Sequence, residues 1–191
     1  MKKIGILFIV LIFFSACAKK EEKELPVPEY PYTIVSKAVD MSAYEGVSST
    51  RHNFRIITIS ELANTVDQKS SGVFFLGRTN CGCCQDVCKY LNEVALELNV
   101  TVYYINVYNE DEPLDQQDMI DALYKYLDPI LNEDEGKKVL LTPQVFSIVN
   151  GEFYGSQICV DGYNVTEDSS IRQIEKFKDA YRAIMAPFAV S

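Results

Sequence analysis

The chain has 191 residues, with 27 acidic against 18 basic side chains for a formal net charge of −9, one histidine and no tryptophan. That balance argues against nucleic acid or an anionic lipid surface as an electrostatic partner, because either needs a basic face. With 48% hydrophobic residues the chain reads as a solvated globular domain, and its six cysteines demand a chemical reading.

In chain order, Met1-Lys2-Lys3 leads into the apolar run Ile4–Phe14 and then Ser15-Ala16-Cys17. A basic start, a short apolar stretch and small residues describe a secretory signal peptide. The run is shorter than the about 20 apolar residues needed to cross a bilayer. Ser15-Ala16-Cys17 resembles a bacterial lipobox, with Phe14 where Leu is usual. The resemblance implies that residues 1–16 are removed, that Cys17 is lipidated, and that the chain is anchored to the extracytoplasmic face of the cell membrane. The plainer alternative is an ordinary signal peptide followed by a chance cysteine. More than one acyl chain gives a stable anchor where a single chain is marginal. Cleavage removes Lys2 and Lys3 and no acid, taking the net charge from −9 to −11.

Residues 18–31, AKKEEKELPVPEYP, are charged and then proline-rich, with little to bury, and read as a linker. The organisation expected is a signal peptide over 1–16, a lipidated N-terminus with linker and unassigned extension over 17–53, and one domain over 54–188. About 135 residues suffice for a single packed core.

Within that domain Phe54–Ile59 is β-rich, and Ser60 offers an N-cap for a short helix over Glu61–Gln68. Gly72–Gly77 (GVFFLG) is a continuous apolar run, as in a strand covered on both faces. From Cys81 to Leu98 the residues Val87, Tyr90, Leu91, Val94, Ala95 and Leu98 recur at helical spacing. Val100–Tyr108 predicts the next strand. Met119, Ile120, Leu123, Tyr126, Leu127 and Ile130 predict a helix, followed by the charged loop NEDEGKK. Gln144–Val149 and Glu152–Val160 flank Asn150-Gly151, a hairpin signal. A last helix runs from about Ser169 to Met185 with Ile171, Ile174, Phe177, Tyr181 and Ile184 inward. The order βαβαβαββα implies a mixed α/β sheet with helices on both faces.

Four of the six cysteines crowd into Cys81-Gly82-Cys83-Cys84 and Cys88. A cysteine pair directly after a buried strand and opening a helix, with Thr142-Pro143 far downstream before another strand, resembles the thioredoxin fold over residues 54–188. The run Leu76-Gly77-Arg78 is similar to a narrower group, the bacteriocin-transport accessory proteins. The resemblance implies a thiol–disulfide oxidoreductase with Cys81 as the attacking and Cys84 as the resolving thiol. It also places Pro143 as the cis-proline, with Thr142 and Pro143 beside the substrate. No cofactor and no metal are implied. The partners would be a thiol- or disulfide-bearing protein or peptide and a membrane redox partner.

The spacing suits that chemistry. A free thiol near pKa 8.5 supplies little thiolate at neutral pH, and a helix N-terminus stabilises the anion. Cys84 and Cys88, four apart, would have Cβ atoms about 5–6 Å apart. A relaxed disulfide wants about 3.5–4.5 Å. Cys81 and Cys88 are roughly 10 Å apart along a helix axis. Cys83 and Cys84 are vicinal, and bridging them would distort the peptide between them, which leaves Cys81–Cys84 as the favoured pair.

Cys83 reads either as a tolerated exposed thiol or as an accessory to its neighbour, and Cys88 as a small buried hydrophobe. With a two-residue turn at Asn150-Gly151, Thr142 would lie opposite Cys159, making Cys159 either an accessory thiol at the active-site rim or a plain strand cysteine. Six residues before Cys81, where many thioredoxins bury an acid, this chain has Phe75, and His52 reads as a surface residue before the fold. Two other readings stay open. One is a Cu or Zn carrier using Cys81, Cys83, Cys84 and Cys88, since soft thiolates select those metals. The other is a non-enzymatic secretion accessory or chaperone on the same scaffold.

Overall fold

A computed structural model describes residues 24–107, 121, 124–158 and 170–189. In chain order the strands are β1 (Lys37–Ala38), β2 (Phe54–Ile56), β3 (Gly72–Gly77), β4 (Val102–Asn106), β5 (Asn132–Asp134), β6 (Lys137–Val139), β7 (Gln144–Val149) and β8 (Glu152–Ile158). The helices are α1 (Ile59–Asp67), between β2 and β3, α2 (Gly82–Glu97), between β3 and β4, and α3 (Ile171–Met185), after β8. Residues 124–127 are also helical and pass into a 3-10 turn at Asp128–Ile130; the rest of the helix expected there lies outside the described residues.

One sheet of six strands carries the fold in the order β1-β2-β4-β3-β7-β8. β3 lies between β4, parallel to it, and β7, antiparallel. Every residue of β3 is buried, which is what an unbroken apolar run predicts for a strand covered on both faces. Its alternation divides the core. Val73 and Phe75 face the side covered by α2 and α3, with Val87, Leu91, Val94, Phe177 and Tyr181. Phe74 and Leu76 face the other side, with Leu62 of α1, Ile105, Phe146 and Ile148. Phe74 stacks on Phe146 at 5.3 Å. α3 is also tied to α2 by charge: Arg182 reaches both carboxylate oxygens of Glu97 at 2.9 Å, and Lys178 reaches Glu93 at 3.1 Å.

Several boundaries differ from the sequence reading, each for a local reason. The first helix begins at Ile59, capped by Thr58 rather than Ser60, because the Thr58 side chain accepts the Glu61 N–H. The strand before it is correspondingly shorter than Phe54–Ile59, although Ile57 N–H still reaches the Tyr104 carbonyl. The charged stretch NEDEGKK is a hairpin and not a loop: Glu133 opposes Lys138 and Asp134 opposes Lys137, around Glu135 and Gly136 at positive φ. Ile171 is exposed, since it opens α3 one turn before Ile174 reaches the core.

The folded body also takes in residues before 54. β1 pairs antiparallel with β2, and Ile34, Met41, Tyr44 and Val47 are buried. Residues 27–32 strap the base of the sheet: Asn150 accepts the Glu29 N–H, donates to the Val27 carbonyl, and Ser70 Oγ donates to the Tyr32 carbonyl.

The hairpin at Asn150-Gly151 forms as expected, both residues at positive φ and Val149 opposite Glu152. Its register does not persist. A bulge beyond Ile148–Phe153 sets Ser147 opposite Gly155 and Gln144 opposite Ile158, one step out of the register that would have put Thr142 opposite Cys159. Cys159 itself lies outside the described residues.

Gly151 sits at φ +83, and a Cβ there would lie 2.9 Å from both Lys69 Cα and Val66 O. Gly151→Ala should therefore cost about 1–2 kcal/mol from the left-handed backbone alone, with more from the backbone clash. The midpoint of urea unfolding measures this; an unchanged midpoint would contradict the turn described.

Candidate redox site

β3 delivers the site. After Gly77 the chain turns through Arg78, Thr79 and Asn80, and Cys81 becomes the N-cap of α2 with extended backbone, φ −104 and ψ 118. A Cβ on Gly77 would lie 2.5 Å from the Phe75 ring, so the glycine lets that ring pack directly beneath the turn. Cys81 uses its sulfur as a cap: Sγ accepts the Cys84 N–H at 3.3 Å. This fills one of the unpaired donors at the helix start and brings the sulfur to the positive end of the helix dipole.

Gln85, one turn into α2, holds the entry loop. Its Nε2 donates to the Thr79 carbonyl at 2.6 Å and to the Ala43 carbonyl at 3.0 Å, and its Oε1 accepts the Glu45 N–H at 2.9 Å. Thr142 faces the same sulfur across the sheet. The Cys81 thiol donates to the Thr142 carbonyl at 3.7 Å, and the Thr142 hydroxyl lies 3.9 Å from Sγ. The Thr142–Pro143 peptide bond is cis. Cys81, Cys84, Thr142 and Pro143 are thus gathered at one end of the sheet.

The two thiols differ sharply. Partial burial pushes the Cys81 pKa up, but the hydrogen bonds from Cys84, Thr142 and Arg78 outweigh it and hold the thiol below its ordinary value. Burial, reinforced by the hydrogen bond with Cys81, pushes Cys84 up to about 12. Cys81 is partly exposed, whereas Cys84 is buried. Cys88, one turn further, is fully buried in the α2 core, and burial raises its thiol above the ordinary range. Cys83 is partly exposed beside Cys81. All four are free thiols. Among the described residues no group of three or more His, Cys, Asp or Glu side chains is placed to hold a metal ion.

Phe75 is fully buried, and behind it lies a pair of tyrosines, Tyr44 and Tyr104, whose hydroxyls are 3.0 Å apart. His52 is not a surface linker residue: it is half-buried, and its Nδ1 accepts the Phe54 N–H at 3.2 Å at the start of β2. From the sequence alone no site role falls to Arg78, which enters only through the Leu76-Gly77-Arg78 run, or to Gln85, Tyr44 and Tyr104. Spacing could have found two of them. Met41, Tyr44 and Val47 recur every third residue, and Val102 and Tyr104 share one strand face. Cys17 lies outside the described residues.

Strands β2-β4-β3-β7-β8 with β7 and β8 antiparallel in turn, and a cysteine-capped helix leaving the central strand, complete the diagnostic arrangement. The fold is thioredoxin-like. No protein-family model matches the chain, and no curated protein matches it. Similar solved structures include oxidised thioredoxin O2 from Arabidopsis thaliana, at 17% identity and a TM-score of 0.44, covering 75% of this chain and 100% of that one. Thioredoxin from Fasciola hepatica is 16% identical with a TM-score of 0.38, covering 65% of this chain and 97% of its own. Thioredoxin F from spinach chloroplast is 13% identical with a TM-score of 0.39, covering 70% of this chain and 98% of its own.

Timed alkylation of the reduced protein should label Cys81 first, with a midpoint below the ordinary thiol value of about 8.5. Cys84 and Cys88 should stay unlabelled until the chain unfolds. Their raised values mean that the unfolded chain releases those protons first. Reduced-state stability should thus fall as pH rises above about 8.5, where unfolded thiols ionise. Peptide mapping across pH reads the labelling order, and first modification at Cys88 would overturn it.

Proposed function

We propose that this chain is an exported, membrane-anchored thiol–disulfide oxidoreductase acting on protein or peptide disulfides through Cys81-Gly82-Cys83-Cys84. The observation that carries the reading is the asymmetry of the pair. One accessible sulfur caps a helix with its pKa held down, and its partner one turn on is buried with its pKa pushed up. A thiolate attacks a disulfide far faster than a thiol does.

In the reducing direction Cys81 S⁻ attacks one sulfur of the substrate disulfide. A Cys81–substrate bond forms, the substrate S–S bond breaks, and the released substrate thiolate takes up a proton. Cys84 then gives up its proton and attacks Cys81 Sγ, forming Cys81–Cys84 and releasing the second substrate sulfur as a thiolate that the proton neutralises. Two electrons pass from the dithiol to the substrate, and the reverse sequence oxidises a substrate dithiol. Thr142 and cis-Pro143, beside Cys81, form the ledge for the substrate backbone. A membrane redox partner would return the pair to its working state. The run Leu76-Gly77-Arg78 supports a place with the bacteriocin-transport accessory group.

Cys81→Ser should abolish disulfide exchange on insulin, and Cys84→Ser should instead accumulate mixed disulfides through Cys81, visible on non-reducing gels. Exchange that survives loss of Cys81 would remove the mechanism.

Anchoring rests on Ser15-Ala16-Cys17 and is tested separately. Cys17→Ser should stop incorporation of labelled fatty acid and release the chain from the membrane fraction. Equal labelling of variant and parent would discard the lipoprotein reading.

A further inference from the structure

The segment before residue 54 meets the cysteine turn at one side chain. Gln85 stands one turn into α2, half-buried, where the helix itself asks only for a good helix former. Its amide is committed instead to the main chain of two other segments. Both N–H groups are used, on the Thr79 carbonyl at 2.6 Å and the Ala43 carbonyl at 3.0 Å, and Oε1 accepts the Glu45 N–H at 2.9 Å.

The Thr79 carbonyl belongs to the middle peptide of the turn that Cys81 N–H closes on the Arg78 carbonyl at 3.3 Å. Holding that planar unit fixes ψ of Thr79 and φ of Asn80, and with them the direction in which the chain enters Cys81. That direction sets where the Cys81 sulfur stands relative to the Cys84 N–H it accepts at 3.3 Å. On the other side, the loop has its own hold on the core. Met41, Tyr44 and Val47 are buried in the cluster that contains Cys84, Val87 and Cys88. Tyr44 N–H closes one turn on Met41 and Val47 N–H closes the next on Tyr44, at 3.0 and 3.1 Å. Gly46 lies at φ +76 against the Lys89 stem of α2, where a Cβ would stand 3.3 Å from Lys89 Cδ. The Gln85 amide therefore joins the cysteine turn to a loop that is packed independently of it.

We propose that Gln85 is a positioning residue through which the segment before the domain sets the reactivity of Cys81: its amide holds the entry turn against the loop over 41–47, and the turn holds the sulfur on the helix start. This role rests on the reading of Cys81 as the attacking thiol. The titratable and charged groups on the elements packed around Cys81 are Cys83, Cys84, Asp86, Cys88 and Lys89 on α2, Arg78 in the entry turn, and Tyr44 and Glu45 in the loop. Thr142, before β7, adds a hydroxyl and a carbonyl.

The test breaks the contact from each side, in the full chain carrying Cys83→Ser. Gln85→Leu removes the amide and changes no charge. Glu45→Pro removes the N–H that Oε1 accepts. Glu45 is the second residue of the turn that Val47 closes on Tyr44, with Gly46 third at positive φ, a type II turn in which proline is favoured at that place. The loop keeps its shape, while the proline ring takes the position of the lost N–H and turns the amide away. Glu45→Pro also removes a carboxylate, which by itself would lower the Cys81 midpoint, so an upward shift cannot come from charge.

Timed alkylation of the reduced protein with iodoacetamide, read at Cys81 by peptide mapping, should place each variant's pH midpoint about one unit above the parent's, a tenfold loss of thiolate below it. Attack on a symmetric aromatic disulfide forms a Cys81 mixed disulfide and releases one aromatic thiolate. That step should be about threefold slower at neutral pH, because the more basic sulfur is the better nucleophile and offsets part of the loss. Above the new midpoint it should equal or exceed the parent rate. Gln85→Leu and Glu45→Pro together should shift no further than either alone, since both open one contact. Gly151→Ala, at the far pole, loses stability and should keep the parent midpoint.

A parent-like midpoint in either folded variant overturns the proposal, and Glu45→Pro decides it if Gln85→Leu does not fold. An equal upward shift in Gly151→Ala overturns it as well, since lost stability alone would then account for the change. A parent that performs no exchange at all would instead remove the function proposed above, while the Cys81 midpoints would still report on Gln85.

Discussion

The sulfur of Cys81 does the work of a helix cap, and the candidate site is organised around that substitution. Helix starts are ordinarily closed by the oxygen of Ser, Thr, Asp or Asn, as α1 is closed by Thr58 and α3 by Ser170. At α2 the acceptor is a thiol, and its demand for an N–H coincides with the helix's need for an acceptor. The interaction strengthens as the sulfur ionises, so stabilising the helix start and stabilising the thiolate are the same event. It also sets the distance to Cys84, whose own N–H supplies the bond and whose side chain is thereby turned into the core.

Around that contact the molecule is arranged to keep one sulfur wet and the other dry. β3, buried along its whole length, provides a floor that ends where the cysteine turn begins. α3 packs beside α2 on the same face of the sheet through Phe177 and Tyr181 and is fastened there by Arg182 and Lys178. A single such surface ion pair adds little, but Arg182 engages Glu97, Glu175 and Asp179 together. The effect is to hold α2 on the sheet while leaving its first turn uncovered.

The parts of this architecture that were legible from sequence are those where one periodicity dominates. GVFFLG is an unbroken apolar run bounded by glycines, the α2 stripe from Val87 to Leu98 repeats over about three turns, and Asn150-Gly151 carries its own turn chemistry. Three features were not legible. A bulge in β8 is a one-residue event that alternation cannot announce, and it displaced the register carried toward Cys159. The hairpin at Asn132–Val139 reads as a charged loop because charged residues stand opposite one another across it and no apolar alternation marks its strands. The segment before residue 54 has only isolated apolar positions, Ile34, Met41, Tyr44 and Val47, whose burial depends on surfaces formed much later in the chain. The site followed the same division. Cys81 and Cys84 announce themselves by spacing and Pro143 through the resemblance to the thioredoxin fold, whereas Gln85 acquires meaning only when distant segments are brought together.

The strap over residues 27–32 has a mechanical consequence. It is fastened to Asn150, at the end of the sheet where β3 begins, while Cys81 follows the end where β3 finishes. Six residues of strand, about 20 Å, separate the two poles. Tension arriving through the N-terminal segment is delivered to the β7–β8 turn and shared by that ladder, leaving the cysteine turn outside the line of force. A domain held by that segment would present its cysteine turn at the pole opposite the point of attachment.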